Sequence, residues 1–176
     1  MKKSIFVSFL MVGLVLLLSC HPAPALALSD TPWPHPAAAW QGEVVGISDG
    51  DTITVLHNGK GEKIRLYGID TPEMKQAFGK RAKQFTSDQV FRKTVKVVPM
   101  DTDRYGRTVG MVYPISGAES LNEAIVREGY AWVYRKYCKA DFCAGWLEVE
   151  QTAKGRGLGL WVDGSAVPPW EFRRVK

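Results

Sequence analysis

Ile64-Arg65-Leu66-Tyr67-Gly68-Ile69-Asp70-Thr71-Pro72-Glu73 reads as a buried strand that carries an arginine in its middle and ends in two carboxylates around a proline turn. Strand alternation points Arg65 to the face opposite Ile64 and Leu66, where packing alone gives no reason for a guanidinium. Pro72 fixes its own φ and drives Thr71 into an extended conformation, so Asp70 and Glu73 flank a stiff corner. One cation and two anions are held close together on rigid backbone, an arrangement suited to an anion and a metal at one place.

Upstream of this stretch, Glu43-Val44-Val45-Gly46-Ile47 and Thr52-Ile53-Thr54-Val55-Leu56 are short strand-like runs separated by Ser48-Asp49-Gly50-Asp51. Asn58-Gly59 then marks a tight hairpin, which makes the Arg65 strand the third of a meander. Downstream, residues 76–90 place Phe78, Ala82, Phe85 and Val90 near helical spacing on one side. Lys80, Arg81 and Lys83 fall on other faces, where a solvated surface is a simpler account than contact with nucleic acid.

Thr94-Val95-Lys96-Val97-Val98-Pro99 alternates as a fourth strand. The turn Asp101-Thr102-Asp103-Arg104-Tyr105-Gly106 leads into a fifth over residues 107–113. Three strands, a helix-sized insertion and two more strands predict an α+β fold: a small, partly open, five-stranded OB-fold β-barrel with about three helices. Ser120-Leu121-Asn122-Glu123 is a capping box opening a second helix that Gly129 closes, and a third runs from Cys143 to about Lys154. The glycine cluster that follows lacks the strand and the Gly-Lys-Ser/Thr of a phosphate-binding loop, so it reads as a helix stop and packing turn.

Composition adds little by itself. Hydrophobic content of 45% and charged content of 23% are ordinary for a globular chain. The net charge of +5, with a pI near 9.1, biases the protein mildly toward acidic partners such as nucleic acid.

The N-terminus is more telling. Lys2 and Lys3 precede an uncharged run over residues 5–18, a signal segment too short to span a membrane as a settled helix. Two cleavage patterns compete. Leu17-Leu18-Ser19-Cys20 has the form of a bacterial lipobox, with residues 1–19 removed and Cys20 lipidated. Ala25-Leu26-Ala27 fits ordinary cleavage after residue 27 and release to the periplasm or medium. The lipobox adjoins the apolar run directly and is favoured, giving an exported lipoprotein of the envelope. Residues 20–41, rich in Pro and Ala, then form a tether, residues 42–163 the domain, and residues 164–176 a loosely held tail.

Export also bears on the cysteines. With Cys20 set aside, Cys138 and Cys143 remain as a pair, and a short-loop disulfide is favoured over zinc, because His21, His35 and His57 are distant in sequence.

Unusual charge stands at three element ends: Asp49-Gly50-Asp51-Thr52, residues 65–73, and Arg104-Tyr105-Gly106-Arg107. Hairpin pairing can bring Asp51 and Asp70 together. Two such carboxylates need a cation between them, and oxygen ligands without nearby His or Cys favour Ca²⁺ or Mg²⁺. Asp49-Gly50-Asp51 on its own is equally well a tight turn. Arg65 and Arg107 weigh against that simpler account, since a guanidinium fork matches two phosphate oxygens. Two arginines and a divalent cation would neutralise charge building on a phosphodiester under attack. Glu73 could take a proton from water or orient it.

These motifs, in this order, resemble the staphylococcal nuclease (thermonuclease) family over about residues 42–162, continuing through Leu121-Asn122-Glu123-Ala124 and Gly159-Leu160-Trp161. The resemblance implies an OB-fold barrel and a Ca²⁺-dependent nuclease that cleaves DNA and RNA and leaves 3′-phosphate ends. It implies that Asp51 and Asp70 bind calcium through side chains and Thr71 through its carbonyl, with Arg65, Glu73 and Arg107 as the catalytic set. Arg104 stands where the family pattern has lysine and is expected to hold a terminal phosphate; Tyr105 is expected to stack on a sugar or base. Trp132, Tyr134 and Tyr137 keep the later loop aromatic, for substrate stacking or for core packing. A monomer acting on single- or double-stranded nucleic acid is expected. The rival is a catalytically inactive OB module that binds nucleic acid or protein. That rival has no use for the carboxylates or Glu73. An envelope structural protein, a third account, leaves Arg65 and Arg107 unexplained.

Overall fold

Strand alternation and turn chemistry build the first half of the molecule. The computed structural model describes residues 38–174. The signal segment, Cys20, the position after Ala27 and most of the tether lie outside them. β1 (Trp40–Ile47), β2 (Thr52–His57) and β3 (Lys60–Leu66) form an antiparallel meander. Asn58 and Gly59, both at positive φ, make the two-residue turn that pairs His57 with Lys60. β4 (Ile69–Asp70) and α1 (Gly79–Val90) follow, then β5 (Thr94–Thr102) and β6 (Thr108–Pro114). The chain continues through α2 (Leu121–Arg127), β7 (Trp132–Val133), α3 (Cys143–Gly155) and α4 (Pro169–Phe172).

Five of the strands close into a barrel in the order β1-β2-β3-β6-β5, an α+β arrangement with the helices outside it. Val44, Ile53, Val55, Ile64, Leu66, Val95, Val97 and Val112 fill its interior, each essentially inaccessible to solvent. These are the alternate positions of half-buried strands. The barrel is closed, where a partly open one was expected. The reason is β1, which starts at Trp40, two residues inside the stretch read as tether. Its first half, Trp40 to Glu43, pairs with β5, and after a register shift its second half pairs with β2. One strand of eight residues thereby has two neighbours and seals the seam.

The opening stretch is not one strand. β3 stops at Leu66, and Gly68, at φ 74°, turns the chain so that Ile69 and Asp70 pair instead with β7 outside the barrel. A Cβ on Gly68 would meet Cys138 Sγ at 2.7 Å, so the corner lies tight against the disulfide loop. Cys138 and Cys143 are bonded to one another, with Cα atoms 5.8 Å apart.

α1 begins at Gly79, later than its apolar spacing suggested, because Phe78 is left-handed at φ 65°. Gln76 is instead bound to the corner: its N–H donates to the Glu73 carbonyl at 2.8 Å, while its side-chain oxygen accepts the Glu73 N–H at 3.1 Å. A Cβ on Gly79 would collide with the Glu73 carbonyl, so the helix can start this close to Glu73 with glycine there. α2 opens as the capping box predicts, with Ser120 Oγ accepting the Glu123 N–H at 3.1 Å. The tail departs most from expectation: residues 169–172 form α4, with Pro169 buried at its first turn and Trp170 packed on aromatic rings. Among the described residues no helix is long and apolar enough to cross a membrane.

Candidate active site

Asp51 sits just before β2 and Asp70 ends β4; the two carboxylates meet around Arg65. Its Nη2 donates to Asp70 Oδ1 at 2.8 Å and to the Ile69 carbonyl at 3.2 Å, while Nη1 pairs with Asp51 Oδ1. Both aspartates are almost fully buried, at 2% and 1% exposure. Thr71 fastens the second oxygen of Asp51 twice, through its N–H at 2.7 Å and its hydroxyl at 2.9 Å. Asp49, by contrast, accepts the Asp51 N–H at 3.1 Å and serves the turn alone. The two carboxylates of Asp49-Gly50-Asp51 thus divide the labour: one shapes the loop and the other enters the site.

Arg107 precedes β6. β3 and β6 run parallel, with Arg65 opposite Val109. Since alternate residues share a face, the position of Arg107, two before Val109, lies on the outer face of the barrel with Arg65. Asp103 fixes it, accepting Arg107 Nε at 2.6 Å and the Arg107 N–H at 3.0 Å. Burial pushes the Asp103 carboxyl up, but hydrogen bonds from Arg107 and the Tyr105 amide, with the Arg107 charge, outweigh it and leave the group below its usual range. Tyr105 is 68% exposed, and its ring lies within 4.7 Å of the Arg104 guanidinium and 5.6 Å of that of Arg107. Its accessible face is not packing surface.

Glu73 is half exposed at the far side of the proline corner. Sequence reading missed its partner, Arg173. One guanidinium nitrogen donates to Glu73 Oε1 at 2.7 Å and the other to Asp70 Oδ2 at 2.7 Å. The Arg173-Arg174 pair after Phe172 carries no local signal for a site; the fold alone brings Arg173 back to the corner. Asp103, too, read as a turn former, and its role as the clamp on Arg107 depends on a bond across four residues.

The donor set fits a hard divalent cation. It is all oxygen, two of its carboxylates are buried, and each already draws a guanidinium. Asp51 and Asp70 would hold the ion with the Thr71 carbonyl, and waters would complete the shell, as calcium allows. Among the described residues no group of three or more His, Cys, Asp or Glu gathers into a metal cluster, so the protein's charged share of such a site is two carboxylates.

Two buried polar residues hold this scaffold. Asn122, on α2, accepts the Val112 N–H at 3.0 Å and donates to the carbonyls of Tyr67 and Gly110 at 3.0 and 3.2 Å. It locks the end of β3 to β6. Glu150, on α3, accepts the Val133 N–H at 3.1 Å and pairs with Lys154 at 3.1 Å, which holds β7, and through it β4 and Asp70. Of the later aromatics, Trp132 is buried in β7, Tyr134 lies under the ring of Trp170, and Tyr137 is 55% exposed.

The model of the staphylococcal nuclease homologues matches residues 63–163. The chain is 44% identical to a micrococcal nuclease of Shigella flexneri over 170 residues, covering 93% of this chain and 95% of that protein. It is 40% identical to an endonuclease of Haemophilus influenzae over 132 residues, covering 74% and 71% of the two chains. Similarity extends to the staphylococcal-like nuclease CAN1 of Arabidopsis thaliana, at 38% over 114 residues, 65% of this chain and 34% of that one.

Proposed function

This chain belongs to the staphylococcal nuclease homologues, and we propose from that premise that it is a calcium-dependent endonuclease of DNA and RNA, exported and leaving 3′-phosphate ends. The observation that carries the reading is the buried Asp51/Asp70 pair gathered around Arg65, with Arg107 on the same barrel face. A calcium ion held by Asp51, Asp70 and the Thr71 carbonyl would supply positive charge beside the phosphate.

The chain's own groups do the rest. Arg65 and Arg107 donate to the non-bridging phosphate oxygens, where negative charge grows as phosphorus becomes five-coordinate. Glu73 orients a water and accepts its proton. The water oxygen joins phosphorus, the bond to the 5′ oxygen breaks, and that oxygen leaves with a proton drawn from solvent, to which Glu73 later returns its own. Arg104 holds a neighbouring phosphate, and the open ring of Tyr105 offers a stacking face. All of these residues come from one chain, so a monomer suffices. The inactive binding module is disfavoured because it gives Asp51, Asp70 and Glu73 nothing to do.

The test is incubation of single-stranded DNA with the purified protein in Ca²⁺ and then in chelator. Cleavage confined to the Ca²⁺ sample, with ends that phosphatase can trim, is expected. Binding without cleavage under both conditions overturns the reading in favour of the module. The N-terminal segment supports membrane tethering through a lipidated Cys20. Mass spectrometry of the mature N-terminus checks this: a diacylglyceryl cysteine is expected, and a Leu28 start means release.

A further inference from the structure

Residues 167–173 cross the face of the candidate site and make three separate contacts with it. The Val167 carbonyl accepts Gln76 Nε2 at 2.5 Å, and the same Gln76 side chain receives the Glu73 N–H through its oxygen. The Trp170 ring lies flat on Tyr134, centroids 4.9 Å apart and planes 10° from parallel, with its edge toward Trp132 at 6.4 Å. Arg173 places its two terminal nitrogens on Asp70 and Glu73, 2.7 Å from each.

The geometry points to an autoinhibitory strap: Arg173 stands where a divalent cation would engage Asp70, and the segment competes with that cation for the site. The inference rests on the proposed calcium site. With Arg65 on Asp70 Oδ1 and Arg173 on Oδ2, both oxygens of that carboxylate carry a guanidinium. A metal approaching Oδ2 competes with Arg173 there, because two cationic groups repel one another at one oxygen. Glu73, with Oε1 held by the same guanidinium, is a weaker proton acceptor in that state. Trp170 meanwhile occupies one face of Tyr134 on which a base could stack. One movement of the strap would clear the metal ligand, the acid and the ring together.

The strap is built to leave. α4 has four residues, Val167 is exposed, and the Arg173 side chain is 43% accessible. A short, peripheral element opens at far lower cost than the barrel. A ligand whose competent state is partly populated binds with its affinity reduced by that fraction. Removing the competitor returns the lost affinity, in the range of ordinary coupling between sites, about tenfold.

The experiment compares the full chain with Arg173→Ala and Trp170→Ala by calorimetric titration with CaCl₂, by melting in chelator, and by cleavage of single-stranded DNA across Ca²⁺ concentrations. Arg173→Ala is expected to bind Ca²⁺ about tenfold tighter and to reach half-maximal cleavage at correspondingly lower Ca²⁺, with the saturated rate unchanged. Without metal it should melt lower than the parent, having lost two pairs. Trp170→Ala should move every readout the same way by less. Equal Ca²⁺ affinity in the parent and Arg173→Ala overturns the strap while leaving the nuclease reading intact. So does loss of cleavage by Arg173→Ala at saturating Ca²⁺, which would make Arg173 part of the reaction instead. If no protein binds Ca²⁺ or cleaves, the nuclease reading fails and the strap with it.

Discussion

Arginine placement decides the chemistry here, and Arg65 and Arg107 are each placed by carboxylates. Arg65 is shared by Asp51 and Asp70, and Arg107 is clamped by Asp103. Glu73→Ala and Arg107→Ala should each lower turnover on single-stranded DNA by about 10²–10³, the cost of losing a positioned proton acceptor in the first and a transition-state donor in the second. Circular dichroism should stay unchanged, since neither side chain is in the core. A loss under tenfold in either variant removes that residue from the catalytic set. Asp103 sets a second expectation. Its folded pKa lies below the 3.8 of an unperturbed carboxyl, so its contribution to stability is complete above that value and is lost as pH falls through the lower, folded one. The urea midpoint of Asp103→Asn should therefore trail the parent by a constant margin at neutral pH, and the gap should close under acid. A gap that widens in acid would reverse the assignment. The Asp51–Arg65 partnership joins two sequence motifs that were visible separately, and the Asp103–Arg107 one crosses a single turn that read only as a turn, which is why the motifs could be read and the clamps could not.

At the level of elements, the barrel strands were legible because each has one buried face, so alternation marks it; the Asn58-Gly59 turn and the Ser120 cap were legible because their chemistry is local. β4 and β7 were not. Each has two residues, too few for any period, and they lie about sixty positions apart. Their pairing exists because Gly68 breaks the strand and Glu150 holds Val133 from α3. Asn122 does the same for the barrel end: one fully buried amide satisfies three backbone groups. Asn122→Ala removes that partner from the Val112 N–H and the Tyr67 carbonyl, out of reach of water, while the Gly110 carbonyl keeps the Tyr67 N–H at 2.9 Å. The expected cost is roughly 3 kcal/mol, from two or three buried hydrogen bonds lost together. That corresponds to a melting temperature roughly 10 °C lower for a domain of this size. Scanning calorimetry on the full chain checks it, and a shift under 2 °C would mean that the loop relaxes to pair them otherwise.

Over the whole molecule, charge matters more through its distribution than through its sum. A net charge of +5 says little, yet Arg104 and Arg107 stand together on one turn beside an open aromatic ring, and Arg107 lies on the face that holds Arg65. The C-terminal segment was read as a loose tail because a four-residue helix has no periodicity and two terminal arginines no partner in sequence. The fold turns that tail into a cover over the site, a relation no local pattern encodes. On this surface the nucleic acid should be held through a few phosphate contacts, and each one releases counterions from a single strand. Three arginine contacts predict that log K for single-stranded DNA, measured in chelator so that no cleavage intervenes, falls with log salt at a slope of about −2. Arg104→Ala should make that slope shallower by about 0.7 while weakening binding alike for every base composition. A slope unmoved by the substitution would mean that Arg104 bonds to Tyr105 alone, at the 2.5 Å seen between its Nη2 and the ring hydroxyl. The phosphate would then be held by other cations on the same face.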